Sequence, residues 1–311
     1  MQGQLPLEDM PRRLYSCTPS RLNTWLDCRR RYRFTYLDRP QPSKGPAWAH
    51  NSVGASVHNA LAGWWREPYE RRTPLTAAIL LTNGWIGEGF RDAEQSERWL
   101  SRARDLVSGY VATLDPADEP VGVERTVATR TKVIAVSGRI DRLDRRGDEL
   151  VVVDYKTGRR PLTQDDARGS LALAVYAVAA SSMLRTPCHT VELHHLPTGE
   201  IVQWRHTDES LARHLRRAEE MATEAAEADE RYRAAVAGPA TGRAARRAGS
   251  STAGSTAGAR PSVGPAAVPP EIDELFPPDP GPICSWCDFR RHCPEGQIAA
   301  PDRNPWDGLA E

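Results

Sequence analysis

The segment Asp154-Tyr155-Lys156 closes an apolar run, Val151-Val152-Val153. Side chains alternate across an extended strand, so Asp154 and Lys156 point to one face and Tyr155 to the other. A carboxylate and an ammonium are thereby paired at a strand end. Upstream, Gly138-Arg139-Ile140-Asp141 belongs to a second β-rich run, and a meander partner joined by a short turn brings Asp141 beside Asp154. Two carboxylates held that close repel unless a divalent cation sits between them. Hard oxygen ligands of this kind hold Mg2+ or Mn2+, and the chemistry that suits them is phosphodiester hydrolysis. The cation polarises the phosphate and acidifies a water, and Lys156 steadies the attacking hydroxide. Alone, a D-x-K pattern is short and reads more readily as an exposed ion pair.

A second constellation lies near the C-terminus. Cys284, Cys287 and Cys293 have the spacing C-x2-C-x5-C, which lets three thiolates converge on one metal centre. The best fourth ligand is Cys28, in the setting W-x2-C-R-R-R-Y. Spacing leaves open a zinc site completed by His292 or another local ligand. Cys17 and Cys188 have no cysteine at short spacing and read as ordinary residues.

The elements that must position these groups follow from periodicity. Residues 20–37 place Leu22, Trp25, Leu26 and Tyr32 on one amphipathic helix, capped by Thr18 or Ser20. A helix from about Ser52 carries a Val53, Val57, Leu61 and Trp64 stripe, with Gly54 and His58 one turn apart beside it. Residues 74–114 are mainly helical, with a break at Asn83-Gly84. The period then changes to that of strands at 122–129, 133–143 and 150–156, a meander with a turn at Arg146-Gly147-Asp148. An apolar, buried helix over 171–183 precedes two shorter strands, 191–196 and 201–204, and a polar helix runs from 208 to about 236. The expected fold is α/β, a central mixed sheet flanked by helices.

Composition sets the outer bounds. Lys plus Arg equal Asp plus Glu at 41 each, so a nucleic-acid surface must be local; the stretches around Arg29–Arg33 and Arg139–Arg146 qualify. The N-terminus has no apolar signal region, and the longest apolar run, 171–180, falls short of the roughly 20 residues that span a bilayer. The expectation is a cytoplasmic protein without a membrane partner, whose cysteines bind metal or pack rather than form disulfides. Residues 237–270 are dominated by Ala, Gly, Ser, Thr, Pro and Arg and read as a disordered linker. They separate a domain of residues 1–236 from a tail, 271–311, too small for its own core.

Together these pieces resemble the RecB-like branch of the PD-(D/E)xK nuclease superfamily, which includes AddB nuclease domains and CRISPR-adaptation nucleases. Four segments carry the resemblance in order: Gly54-Ala55-Ser56-Val57-His58, Gly138-Arg139-Ile140-Asp141-Arg142-Leu143-Asp144, Asp154-Tyr155-Lys156-Thr157-Gly158, and Tyr176-Ala177. The cysteines bracket them as in the iron–sulfur subset of that family, one before and three after.

The resemblance implies a restriction-endonuclease-like core and a metal-dependent DNA nuclease, an exonuclease on single strands or DNA ends in repair or recombination, with DNA and a helicase or other repair proteins as its partners. It implies His58, Asp141, Asp154 and the Tyr155 carbonyl as Mg2+ or Mn2+ ligands, with Lys156 as the catalytic lysine. Tyr176, Arg139 and Arg142 are candidate supports of substrate or site. It further implies a [4Fe–4S] cluster on Cys28, Cys284, Cys287 and Cys293 that joins the two ends of the chain, with Zn2+ as the alternative. The family often has Gln four residues before the tyrosine, where this chain has Ala172. That departure favours an alternative, a catalytically weak DNA-binding or helicase-docking module.

Overall fold

The computed structural model describes residues 14–237 and 270–309. The proposed linker, 237–270, lies almost wholly outside them. Six strands form one mixed sheet: β1 (Tyr15–Cys17), β2 (Gly122–Arg130), β3 (Ile134–Arg146), β4 (Glu149–Lys156), β5 (Thr190–His195) and β6 (Glu200–Arg205). The order β1-β3-β4-β5-β6, with β2 also paired to β3, makes β3 the organising strand. β2, β3 and β4 are antiparallel neighbours, as a meander requires, and Gly147 at φ +60 makes the tight turn between β3 and β4. β1 and β5 run parallel to β3 and β4.

Helices cover both faces. On one side α3 (Ala49–Arg66), α4 (Pro74–Asn83) and α5 (Ala93–Val111) bury Val57, Leu61, Trp64 and Val107 against Val151, Val153 and Tyr155. On the other, α7 (Leu171–Leu184) packs Leu173, Ala174 and Ala177 on Val127, Ile140, Leu150 and Val152. The long α8 (Asp208–Ala237) joins α1 (Pro19–Asp27) and α2 (Arg29–Tyr36) in a third apolar cluster. The short α6 (Gln164–Gly169) precedes α7 behind a Thr163 capping box.

The helix expected over 20–37 is two helices. Cys28 interrupts it in an extended conformation (φ −169, ψ 116), ending α1 and capping α2 with its sulfur, which accepts from the Arg31 N–H at 3.5 Å. The apolar stripe continues across this break, which is why periodicity alone reads one element.

The tail carries α9 (Pro270–Leu275), two 3-10 turns and α10 (Pro294–Ala299). It borrows a core rather than building one: Ile272 and Phe276 are fully buried beside Leu22, Trp25, Tyr32 and Tyr232. Phe289 packs edge-on against Phe34, and Arg33 binds Asp273 at 2.7 Å.

Candidate metal centre at the strand end

Strand alternation places the motif residues as expected. Val151, Val153 and Tyr155 enter the apolar cluster of α3–α5, and Leu150 and Val152 that of α7, so Asp154 and Lys156 share the α7 face. Lys156 Nζ lies 2.6 Å from Asp154 Oδ2. Burial raises the Asp154 carboxyl above the usual carboxylate range; the Lys156 ammonium opposes this and the Asp141 charge adds to it.

The β3–β4 ladder runs from Arg146 opposite Glu149 to Arg142 opposite Val153. At the next position a side chain takes over, and Asp141 Oδ2 accepts the Tyr155 N–H at 2.9 Å. The other oxygen, Oδ1, is 3.3 Å from His58 Nδ1, and His58 Nε2 is 3.1 Å from the Tyr155 carbonyl. Both neighbours of the imidazole are acceptors, so only the doubly protonated ring satisfies both. Burial works against that charge, but Asp141, with Asp154 and Glu124, raises the His58 pKa overall. An imidazolium there would offset the charge of the acidic cluster. Gly54, one turn before His58, faces Thr157, whose Oγ1 would be 3.3 Å from a Cβ at position 54.

Glu124 is the residue that sequence reasoning missed. His58, Glu124 and Asp141 each offer one ligand atom, all within 4.8 Å of one another, and this is the group among the described residues suited to a metal ion. Glu124 adopts φ +49, a left-handed conformation uncommon outside glycine, and binds Arg139 Nε at 2.7 Å. Its signal was the strand register: Val123 pairs with Arg142 and Arg125 with Ile140, so the residue between them comes opposite Asp141. Asp154 stands outside the three-residue group, held by Lys156.

The supporting candidates separate. Arg139 is 70% exposed at the rim of the cleft. Tyr176 lies against Gly138, where any Cβ would strike its ring; burial, then the Asp154 and Asp141 charges, raise its pKa. Arg142 stands on the inner side of the motif strand. Its side chain is only 4% exposed, 2.9 Å from Asp144 and stacked 5.1 Å from the Trp65 ring. There it lies 6.0 Å from the Tyr155 ring centroid and braces that ring from within the core.

Cys28, Cys284, Cys287 and Cys293 line one pocket between the α1–α2 junction and the tail, and all four are free thiols. The Gly281 N–H points at Cys284 Sγ from 3.4 Å. A Cβ at Gly296 would lie 3.4 Å from both Cys284 Sγ and Cys293 Sγ, so glycine keeps that wall clear. Among the described residues no three of these sulfurs lie within 4.8 Å of one another. His292 does not join the pocket; its Nε2 is 3.0 Å from the Ser43 carbonyl. Cys17 and Cys188 are buried in the core, as ordinary residues are.

The family model described as the PD-(D/E)XK nuclease superfamily matches residues 16–294. No curated protein matches the chain. A solved structure from Eubacterium rectale, described as a candidate exonuclease, aligns with a TM-score of 0.42 and 12% identity, covering 70% of this chain and 84% of that one. No helix among the described residues is long and apolar enough to cross a membrane.

Proposed function

The chain belongs to the PD-(D/E)XK nuclease superfamily, and from that premise we propose that it is a Mg2+- or Mn2+-dependent deoxyribonuclease. Its substrate on this reading is single-stranded DNA or DNA ends, cut as an exonuclease in repair or recombination. The observation that carries the reading is His58 set between the Asp141 carboxylate and the Tyr155 carbonyl, beside the Asp154–Lys156 pair. His58, Asp141, Asp154 and the Tyr155 carbonyl would hold the cation, with Glu124 adjoining. A divalent cation bound there supplies charge to the scissile phosphate and lowers the pKa of a bound water.

The chain's own residues do the rest. Asp154 would supply a carboxylate oxygen to the cation, and the Lys156 ammonium beside it would donate to the attacking oxygen. Arg139, exposed at the rim, reaches a neighbouring phosphate. In the second pocket the four cysteines would hold a [4Fe–4S] cluster, with zinc as the alternative, a reading supported by their common cavity. Ala172 supports the second reading, a weakly catalytic DNA-binding or helicase-docking module, because no polar side chain stands one turn before Tyr176.

Labelled single-stranded and duplex DNA incubated with the full chain and Mg2+ or Mn2+ test the proposal. Lys156→Ala is expected to slow cleavage by about 10²–10³-fold. Absence of metal-dependent cleavage, or equal cleavage by the variant, rejects it.

A further inference from the structure

One side of the cleft above His58 is made by residues remote in sequence. Beyond the cysteine motif the chain returns to the start of α3, where the Ala49 N–H donates to the Pro305 carbonyl at 3.0 Å. Gly308 then presses against the His50 ring, so closely that any side chain at 308 would collide with Nδ1. That nitrogen is buried without a hydrogen-bond partner. Leu309 continues into the apolar cluster of α3–α5. The segment is a folded turn: the Asn304 N–H donates to Asp307 at 2.9 Å, and the Leu309 N–H to the Trp306 carbonyl at 3.0 Å.

The half-buried Trp99 of α5 also lines the cleft, whose metal-suited groups are His58, Glu124 and Asp141. Asn51 and Asn59 face it as well, and its cationic lining is Arg139 and Arg159. A duplex presents phosphates outward and is gripped by many Lys and Arg side chains. Unpaired bases instead use aromatic faces and the edges of amide side chains. The lining matches the second kind of ligand.

We propose that residues 304–309 form a strand-selecting wall, which admits the unpaired bases of single-stranded DNA to the cleft and keeps a duplex out. Held against His50, the wall narrows the approach to Glu124, Asp141 and His58 from the side of α3. Without it the cleft opens along α3, and a wider double strand can come down on the same groups.

The measurement is fluorescence anisotropy with a labelled oligothymidylate and a blunt duplex of equal length, in EDTA so that no strand is cut. The full chain is compared with one ending at Arg303, which keeps all four pocket cysteines. The full chain is expected to favour the oligothymidylate by about tenfold, and the shortened chain by less than about threefold. Should the shortened chain fail to fold, Gly308→Val in the full chain, which forces the turn off His50, is expected to lower the preference likewise. Equal binding by the full chain, a preference that survives in whichever of the two variants folds, or no binding of either DNA overturns the wall. It deepens the nuclease reading, yet the two fail separately. Cleavage without strand preference removes the wall alone, and strand preference without metal-dependent cleavage removes the nuclease alone.

Discussion

At the strand end the ionisable groups pair with one another, His58 with Asp141, Lys156 with Asp154 and Arg139 with Glu124. In the cysteine pocket four thiols face a shared cavity and pair with nothing covalently. The first region sits on the longest strands of the sheet and keeps its shape by internal charge balance. The second is assembled from a helix junction, 3-10 turns and a six-residue helix, elements too short to be stable alone. On the proposed reading a site on a sheet can await its ion, whereas a site made of turns would depend on its contents and on the aromatic packing around it.

The largest expected effect tests the dependent region. Purified without air, the full chain is expected to be brown, with absorbance near ~400 nm from thiolate-to-iron charge transfer. Cys28→Ser should be colourless and should expose the tail to limited proteolysis, because metal binding and closure are linked by on the order of 10 kcal/mol. A colourless parent carrying stoichiometric zinc, or an unchanged digestion pattern, would erase the contrast drawn here between the two regions.

A smaller effect belongs to the sheet. Glu192 accepts from Arg146 at 2.5 and 2.8 Å and contacts His194 at 3.0 Å. Burial alone would raise its pKa, but the His194 and Arg146 hydrogen bonds bring it down to about 2. A carboxylate held low contributes stability that is present above its unfolded value and lost as pH falls through the folded one. The loss, on the order of 3 kcal/mol, should therefore spread from about pH 4.5 to about pH 2. Glu192→Gln is expected to flatten the pH dependence of thermal melts in that window, with colour and tail protection at neutral pH unchanged.

The smallest effect is at His58, whose pKa is raised because Asp141, Asp154 and Glu124 outweigh burial. In the metal-free protein this favours stability below the ordinary histidine value, a contribution lost as pH rises through the raised one. A metal ligand must be unprotonated, so the sign for binding is opposite. Mn2+ affinity by calorimetry should weaken up to about tenfold, or 1.4 kcal/mol, per unit of pH below the raised value. A flat profile would place His58 outside the metal centre.

Much of this site was legible because it follows short-range rules. Period-two alternation put Asp154 and Lys156 together, and the Arg146-Gly147-Asp148 turn fixed the partner strand that carries Asp141. What escaped depended on distant chain or on backbone geometry. β1 has three residues and owes its place to parallel pairing with Ile134–Val136. Glu124 turns toward Asp141 through a positive φ that no residue type announces. Arg142 sits within a basic stretch that reads as surface, yet Trp65 and Asp144 draw it into the core. Nothing in the tail's composition points to Leu309 or Gly308 at the cleft.

Asp141 has one oxygen committed to the Tyr155 N–H, and that commitment limits what it can offer an ion. Each carboxylate oxygen keeps a second lone pair, but the one that already holds the Tyr155 N–H is the weaker donor, so the anchored group favours giving Oδ1 alone. Calcium favours crowded shells that often include bidentate carboxylates, while magnesium and manganese accept six well-spaced single oxygens and keep several waters. If the strand end holds a cation as proposed, the missing rung of the β-ladder would bias the choice of ion through one backbone amide.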